Sequence, residues 1–60
     1  MNAIKLYDKV KIKKLNVFGF VVDISNGPEG PVYIVEETHE DGSSDMHYNL
    51  EITDIECVSE

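Results

Sequence analysis

Apolar and polar positions alternate along most of this chain with a period of two, and that period belongs to β-strands. From Leu6 to Ile12, the side chains of Leu6, Val10 and Ile12 fall on one face, while Tyr7, Lys9, Lys11 and Lys13 fall on the other. Asp8 lands on the apolar face near the strand start, a place where its carboxylate can accept from backbone amides. After a short turn around Asn16, the run Gly19 to Ser25 is nearly continuous in apolar residues. Phe18, Phe20, Val21, Val22 and Ile24 supply them, and Gly19 interrupts them where a bulge or sharp bend is expected. The turn formers Asn26-Gly27-Pro28-Glu29-Gly30-Pro31 then mark a loop.

A third strand is expected over Val32 to Thr38, a hairpin tip over Glu40 to Ser44 around Asp41-Gly42, and a fourth strand over Asp45 to Leu50. In that fourth strand Met46, Tyr48 and Leu50 alternate with His47 and Asn49. Glu51 to Asp54 suits a single 3₁₀ turn, and Ile55 to Val58 a short closing strand. No window shows a helical apolar stripe, and valine and isoleucine dominate the apolar content, as pleated, half-buried surfaces require. The expected fold is all-β: one domain over residues 1–60, a small five-stranded barrel with a 3₁₀ turn before the last strand.

Length changes this picture only by making it tight. A 60-residue chain hides about 60% of the surface its unfolded form exposes, so its stability is expected to be marginal. Cys57 is the only cysteine, so no internal disulfide reinforces the core, and a reducing compartment is the natural setting. No segment approaches the ~20 apolar residues of a membrane span, and Met1 to Asp8 lacks the apolar stretch of a secretory signal. A cytoplasmic location without membrane partners is expected.

Charge changes the picture more. The formal net charge is −7, yet all five basic residues lie in the first fourteen positions, Lys5, Lys9, Lys11, Lys13 and Lys14. From Leu15 onward there are eleven carboxylates and no lysine or arginine. Acidity of this kind keeps a small domain soluble, and it repels a phosphate backbone over most of the surface.

The order of elements, with a tight turn just before the last strand, resembles the SH3-like barrel superfamily. Asp8-Lys9-Val10-Lys11-Ile12 followed by Phe18-Gly19-Phe20-Val21-Val22-Asp23-Ile24 is similar to the opening of KOW and related barrels, where a D-x-V-x-I strand precedes a G-x-V turn. Tyr33-Ile34-Val35-Glu36 and Leu50-Glu51-Ile52-Thr53-Asp54-Ile55-Glu56 also look like this class. Similar strands occur in small bacterial and phage barrel proteins and in reaction-centre subunit IV of photosystem I. The resemblance implies a fold far more than a function. Leu6-Tyr7-Asp8 echoes the A-L-Y-D-Y signature of signalling SH3 domains. Those domains grip proline-rich peptides with aromatics that include a tryptophan, which this chain lacks.

The candidate chemistry is sparse. His39 and His47 flank the third hairpin with Glu36, Glu40 and Asp45 nearby, but their spacing matches no established ligand pattern, so neither a metal nor any other cofactor is expected. Asp41-x-Ser43-x-Asp45 starts like a calcium loop, yet Met46 stands where that loop needs glycine and Ile52 where it needs glutamate. Cys57 is expected to be a small buried hydrophobe rather than a nucleophile, since no base is positioned for it. No phosphate-cradling loop or activated serine is present, and a pocket of ~300 Å³ is hard to build beside so small a core. The chain is therefore expected not to be an enzyme.

What remains is the Lys9, Lys11, Lys13 stripe with Tyr7 and Phe18 available beside it. The leading expectation is a non-catalytic interaction module, an accessory subunit or self-associating domain in which the basic stripe meets a carboxylate-rich surface. The alternative is nucleic-acid binding through the same lysines, with an aromatic stacking a base, disfavoured by the net charge. Lysines on a first strand also have a plain structural use, since they discourage edge-to-edge pairing.

Overall fold

The computed structural model describes residues 4–58. Five strands, β1 (Lys9–Ile12), β2 (Val17–Gly27), β3 (Gly30–Thr38), β4 (Ser44–Leu50) and β5 (Ile55–Cys57), form one antiparallel sheet in the order β4-β3-β2-β1-β5. Among the described residues there is no helix, and hence none long and apolar enough to cross a membrane.

The ladder is open. β4 and β5 are the two edges and do not pair with each other, so hydrogen bonding does not close the expected barrel. The three-residue β5 is spent entirely on β1, in the register Val10–Cys57, Lys11–Glu56 and Ile12–Ile55. The sheet nevertheless curls strongly. Its buried core, Val10, Ile12, Val21, Tyr33, Val35, Leu50 and Ile55, draws on all five strands, with Ile4, Val17 and Ile24 packed against it. Leu50 and Ile55 sit on opposite edge strands yet share this cluster. With no second layer among the described residues to cover them, the core residues of the inner face are buried by the sheet wrapping over itself.

Two bulges decide which residues enter the core. Val21 pairs with Val35 but Asp23 pairs with Ile34, so Val22 is an extra residue in β2. On β4, Val35 pairs with His47 but Tyr33 pairs with Leu50, and the slip is absorbed beside Asn49, whose φ is 60°. Each bulge shifts the alternation by one, turning Ile24 and Leu50 inward although Phe20 and Met46 on the same strands point outward. The grouping of Met46, Tyr48 and Leu50 on one face is thereby corrected: only Leu50 is buried.

Other expectations also change. The first strand starts at Lys9, not Leu6, because the chain turns before it: Asp8 N–H donates to Lys5 O at 3.1 Å, and the Asp8 carboxylate accepts Lys5 N–H at 2.9 Å. Leu6 and Tyr7 ride on this turn, exposed, with Tyr7 at φ 71°. The Asn26–Pro31 loop tightens to a two-residue turn, Pro28-Glu29, closed by the Gly27–Gly30 pair. Gly19 is not the bulge. It is buried where β2 and β3 approach so closely that a Cβ there would lie 2.5 Å from Glu36 O. Before β5 the expected single turn is present, with Asp54 N–H donating to Glu51 O, three residues back, at 2.8 Å and the Asp54 carboxylate accepting Glu51 N–H at 2.9 Å.

Candidate functional site

The strand register assembles two transverse rows on the outer face of the sheet. One runs Lys9–Phe20–Glu36–Met46, the other Glu56–Lys11–Phe18. Phe18, Phe20 and Met46 stand 48%, 44% and 41% exposed there. These are large apolar groups that a fold with only one buried face leaves in water. The ammonium groups of Lys9 and Lys11 both lie over the Phe18 ring, at 5.8 and 5.9 Å from its centroid. That is the outer range of cation–π attraction, about 0.5–1 kcal/mol at exposed sites.

Sequence reasoning expected Tyr7, Lys9, Lys11, Lys13 and Phe18 to lie together. The structure brings together Lys9, Lys11 and Phe18. Tyr7 is off the strand on the preceding turn, and Lys13 begins the β1–β2 turn, where its N–H donates to Asp54 O at 3.0 Å. Phe20 and Met46 belong to the face but were missed as site residues, because each reads as an ordinary core residue until the bulges fix the parity.

Most of the acidic groups stand away from the lysines. Lys9 and Lys11 are on β1 with Glu56 opposite Lys11 on β5, whereas Glu36, Glu37 and Asp45 are two or three strands away on β3 and β4, with Glu40 and Asp41 at the hairpin tip. Two strand spacings amount to about 10 Å, close to the screening length of physiological salt. Every ion pair among the described residues involves histidine, and none involves a lysine.

Those pairs lie on the inner face, where the β3–β4 hairpin extends beyond the core. Glu37 and Asp45 are directly opposed in the ladder, His47 opposes Val35 two residues along β4, and His39 lies two residues beyond Glu37. His39 N–H donates to Ser43 O at 2.9 Å, which carries the pairing past the last ladder residue. His39 Nε2 is 3.0 Å from Asp45 Oδ2, and His39 Nδ1 is 4.0 Å from Glu37 Oε2. His47 Nε2 is 3.0 Å from Glu37 Oε1. The two histidines do not face each other; both face Glu37, the residue of this cluster that the sequence did not single out. The hydrogen bond to Asp45, with the nearby carboxylate charges, holds the His39 pKa above its ordinary value. At the tip, Asp41 accepts from Ser43 N–H at 2.9 Å and Ser43 Oγ–H at 2.7 Å, which lowers its pKa. This Asx turn accounts for the residues that imitate a calcium loop.

Two further features bear on catalysis. An open groove of about 310 Å³ lies between the Pro28-Glu29 turn and the Glu51–Thr53 turn, so a cleft of that size does fit beside this core. Its lining includes Glu29, Glu51 and Thr53 but no histidine, cysteine or lysine. Cys57, expected to be buried, is exposed although it pairs with the core residue Val10, because β5 is an edge strand with no neighbour on its far side.

Comparison with protein-family models, with curated proteins and with solved structures finds no match to this chain.

Proposed function

We propose that this chain is a non-catalytic interaction module that docks a protein surface on the outer face of its sheet. One observation carries the reading: exposed Phe18 and Phe20 share the outer face with Met46, which stands across Glu36 from Phe20, beside two lysines that form no ion pair among the described residues. A partner that fits carries apolar groups bordered by carboxylates. A second copy of the chain offers both, since its own β3–β4 hairpin is acidic. Five antiparallel strands in the order β4-β3-β2-β1-β5, with a tight turn before β5, support assignment to the SH3-like barrel class. The lone, exposed Cys57 supports a reducing, cytoplasmic setting.

The test is the solution mass by light scattering at about 20 mM and about 300 mM salt, which bracket physiological screening. Self-association that weakens with salt and is lost in Phe18→Ser and Lys9→Gln supports the reading. A monomer at both salts removes self-association, and the same face is then probed by cross-linking to partners in the native extract. Cross-links that persist unchanged in both variants overturn the assignment of this face.

A second reading is favoured by one observation, an exposed phenylalanine flanked by two ammonium groups, the arrangement that stacks a base between phosphate contacts. It requires that a single-stranded oligonucleotide bind with a salt slope of about −0.7 per phosphate contact. Binding unchanged by Lys9→Gln with Lys11→Gln ends this reading.

A further inference from the structure

We propose that the β3–β4 hairpin binds one divalent transition-metal ion of the zinc class through Glu37, His39 and Asp45, with His47 orienting Glu37.

The site is set by the backbone before side chains are considered. Glu37 and Asp45 oppose each other in the ladder, and His39 and His47 lie two positions from them on the same sheet face, in opposite directions. Four ligand-type side chains thus converge at one end of a hairpin, and the Ser43–His39 bond holds that end closed. One ligand atom each from Glu37, His39 and Asp45 lies within 4.8 Å of the other two. A tetrahedral centre with bonds of about 2.0–2.1 Å places its ligand atoms about 3.3 Å apart. Asp45 Oδ2 stands 3.0 Å from His39 Nε2, close to that separation, whereas Glu37 Oε2 is 4.0 Å from Nδ1, the other ring nitrogen, so side-chain rotation at this exposed hairpin has to bring both carboxylates to one nitrogen to close the site.

The donor set chooses the metal. Calcium and magnesium take oxygen ligands, and calcium takes six to eight of them, so an imidazole in a three-ligand set selects against both. Imidazole with carboxylate suits zinc, and three protein ligands leave a fourth position for water or for a group from a docked partner. His47 completes the arrangement. Its side chain and that of Glu37 are 21% and 17% exposed, and their 3.0 Å contact holds one carboxylate oxygen while the other turns toward His39. This is the role of an outer partner that fixes a ligand's orientation. The acidic tip residues Glu40 and Asp41 add attraction for a cation. The cluster lies on the inner face, whereas the docking residues Lys9, Phe18, Phe20 and Met46 lie on the outer one, and zinc binding is read without any partner present.

The test is calorimetric titration of the untagged full chain with zinc chloride, with calcium and magnesium chlorides alongside, and proton NMR of the histidine rings. The expected result is one equivalent of zinc, movement of the His39 ring resonances, and no binding of calcium or magnesium at the same concentrations. His39→Ala and Asp45→Asn each weaken zinc binding on the order of tenfold or more. His47→Ala weakens it by about 10- to 100-fold, whereas His47→Gln, which still donates to Glu37, largely restores it. Both His39 and Asp45 are exposed, so circular dichroism of these variants is expected to match the parent. Three outcomes overturn the proposal: no zinc binding at millimolar concentration, equal affinity in His39→Ala and Asp45→Asn, or binding that disappears with Cys57→Ser.

Discussion

Placing a methyl group at Gly19 tests the packing of the sheet most directly. A Cβ there meets Glu36 O at 2.5 Å and Val35 Cγ1 at 2.7 Å, against about 3.4 Å for ordinary contact, so something must move by most of an ångström. The carbonyl belongs to the β2–β3 ladder beside the Phe20–Glu36 pair, and Val35 is fully buried, so neither is free to yield. Overpacking of this kind costs about 1–3 kcal/mol, and displacing a ladder hydrogen bond adds about 1 kcal/mol. The expected loss for Gly19→Ala is about 2–4 kcal/mol, from a total of roughly 3–9 kcal/mol for a chain of this length. Urea unfolding followed by far-UV circular dichroism reads it. At a slope of about 1 kcal/mol/M the midpoint falls by about 2–4 M, enough to unfold a marginal domain outright. A second variant separates steric clash from loss of glycine itself. In Gly19→Ala with Val35→Ala the clash with Cγ1 is gone while the clash with the carbonyl remains, so the pair is less destabilised than the sum of its parts by about 0.5 kcal/mol or more. Midpoints for Gly19→Ala within 0.5 M of the parent (about 0.5 kcal/mol at that slope), or strict additivity in the pair, refute the close approach of β2 and β3.

Three further outcomes follow from the same structure. Val21→Ala, in the fully buried core, costs about 2 kcal/mol in urea midpoint analysis, while Phe18→Ala on the outer face costs less than about 1 kcal/mol; equal losses contradict the assignment of the two faces. In the presence of a chelator, the His39 ring titrates above 6.5 by NMR and moves back toward it in Asp45→Asn. Because the folded-state pKa is raised, the stabilisation from the protonated pair is complete below the ordinary value and is lost as pH rises through the raised one; a midpoint at or below 6.5 removes that pair. Cys57 reacts with an aromatic disulfide in the native protein at nearly the rate of the urea-unfolded chain, whereas strong protection places it back in the core.

The sequence by itself determined the secondary structure class and most of the turns. Valine- and isoleucine-rich alternation admits strands and no helix, Asn16 takes the left-handed turn its residue type tolerates, and Asp41-Gly42 closes the third hairpin. Chain order also confined the lysines to the first strand and its flanking turns, so the gathering of basic charge at one strand was legible without coordinates, whereas the placing of Glu56 opposite Lys11 was not. A period of two says that a strand has two faces but not which one is covered. That choice fell to the bulges at Val22 and Asn49, which reverse the alternation and turn Ile24 and Leu50 inward while leaving Phe20 and Met46 in water. The meeting of Glu37 with both His39 and His47 depends on the β3–β4 register, which no spacing along one strand encodes. Tertiary structure likewise decided that the sheet curls without closing. The core draws on both edge strands to bury its inner face, yet β4 and β5 meet through side chains and share no ladder.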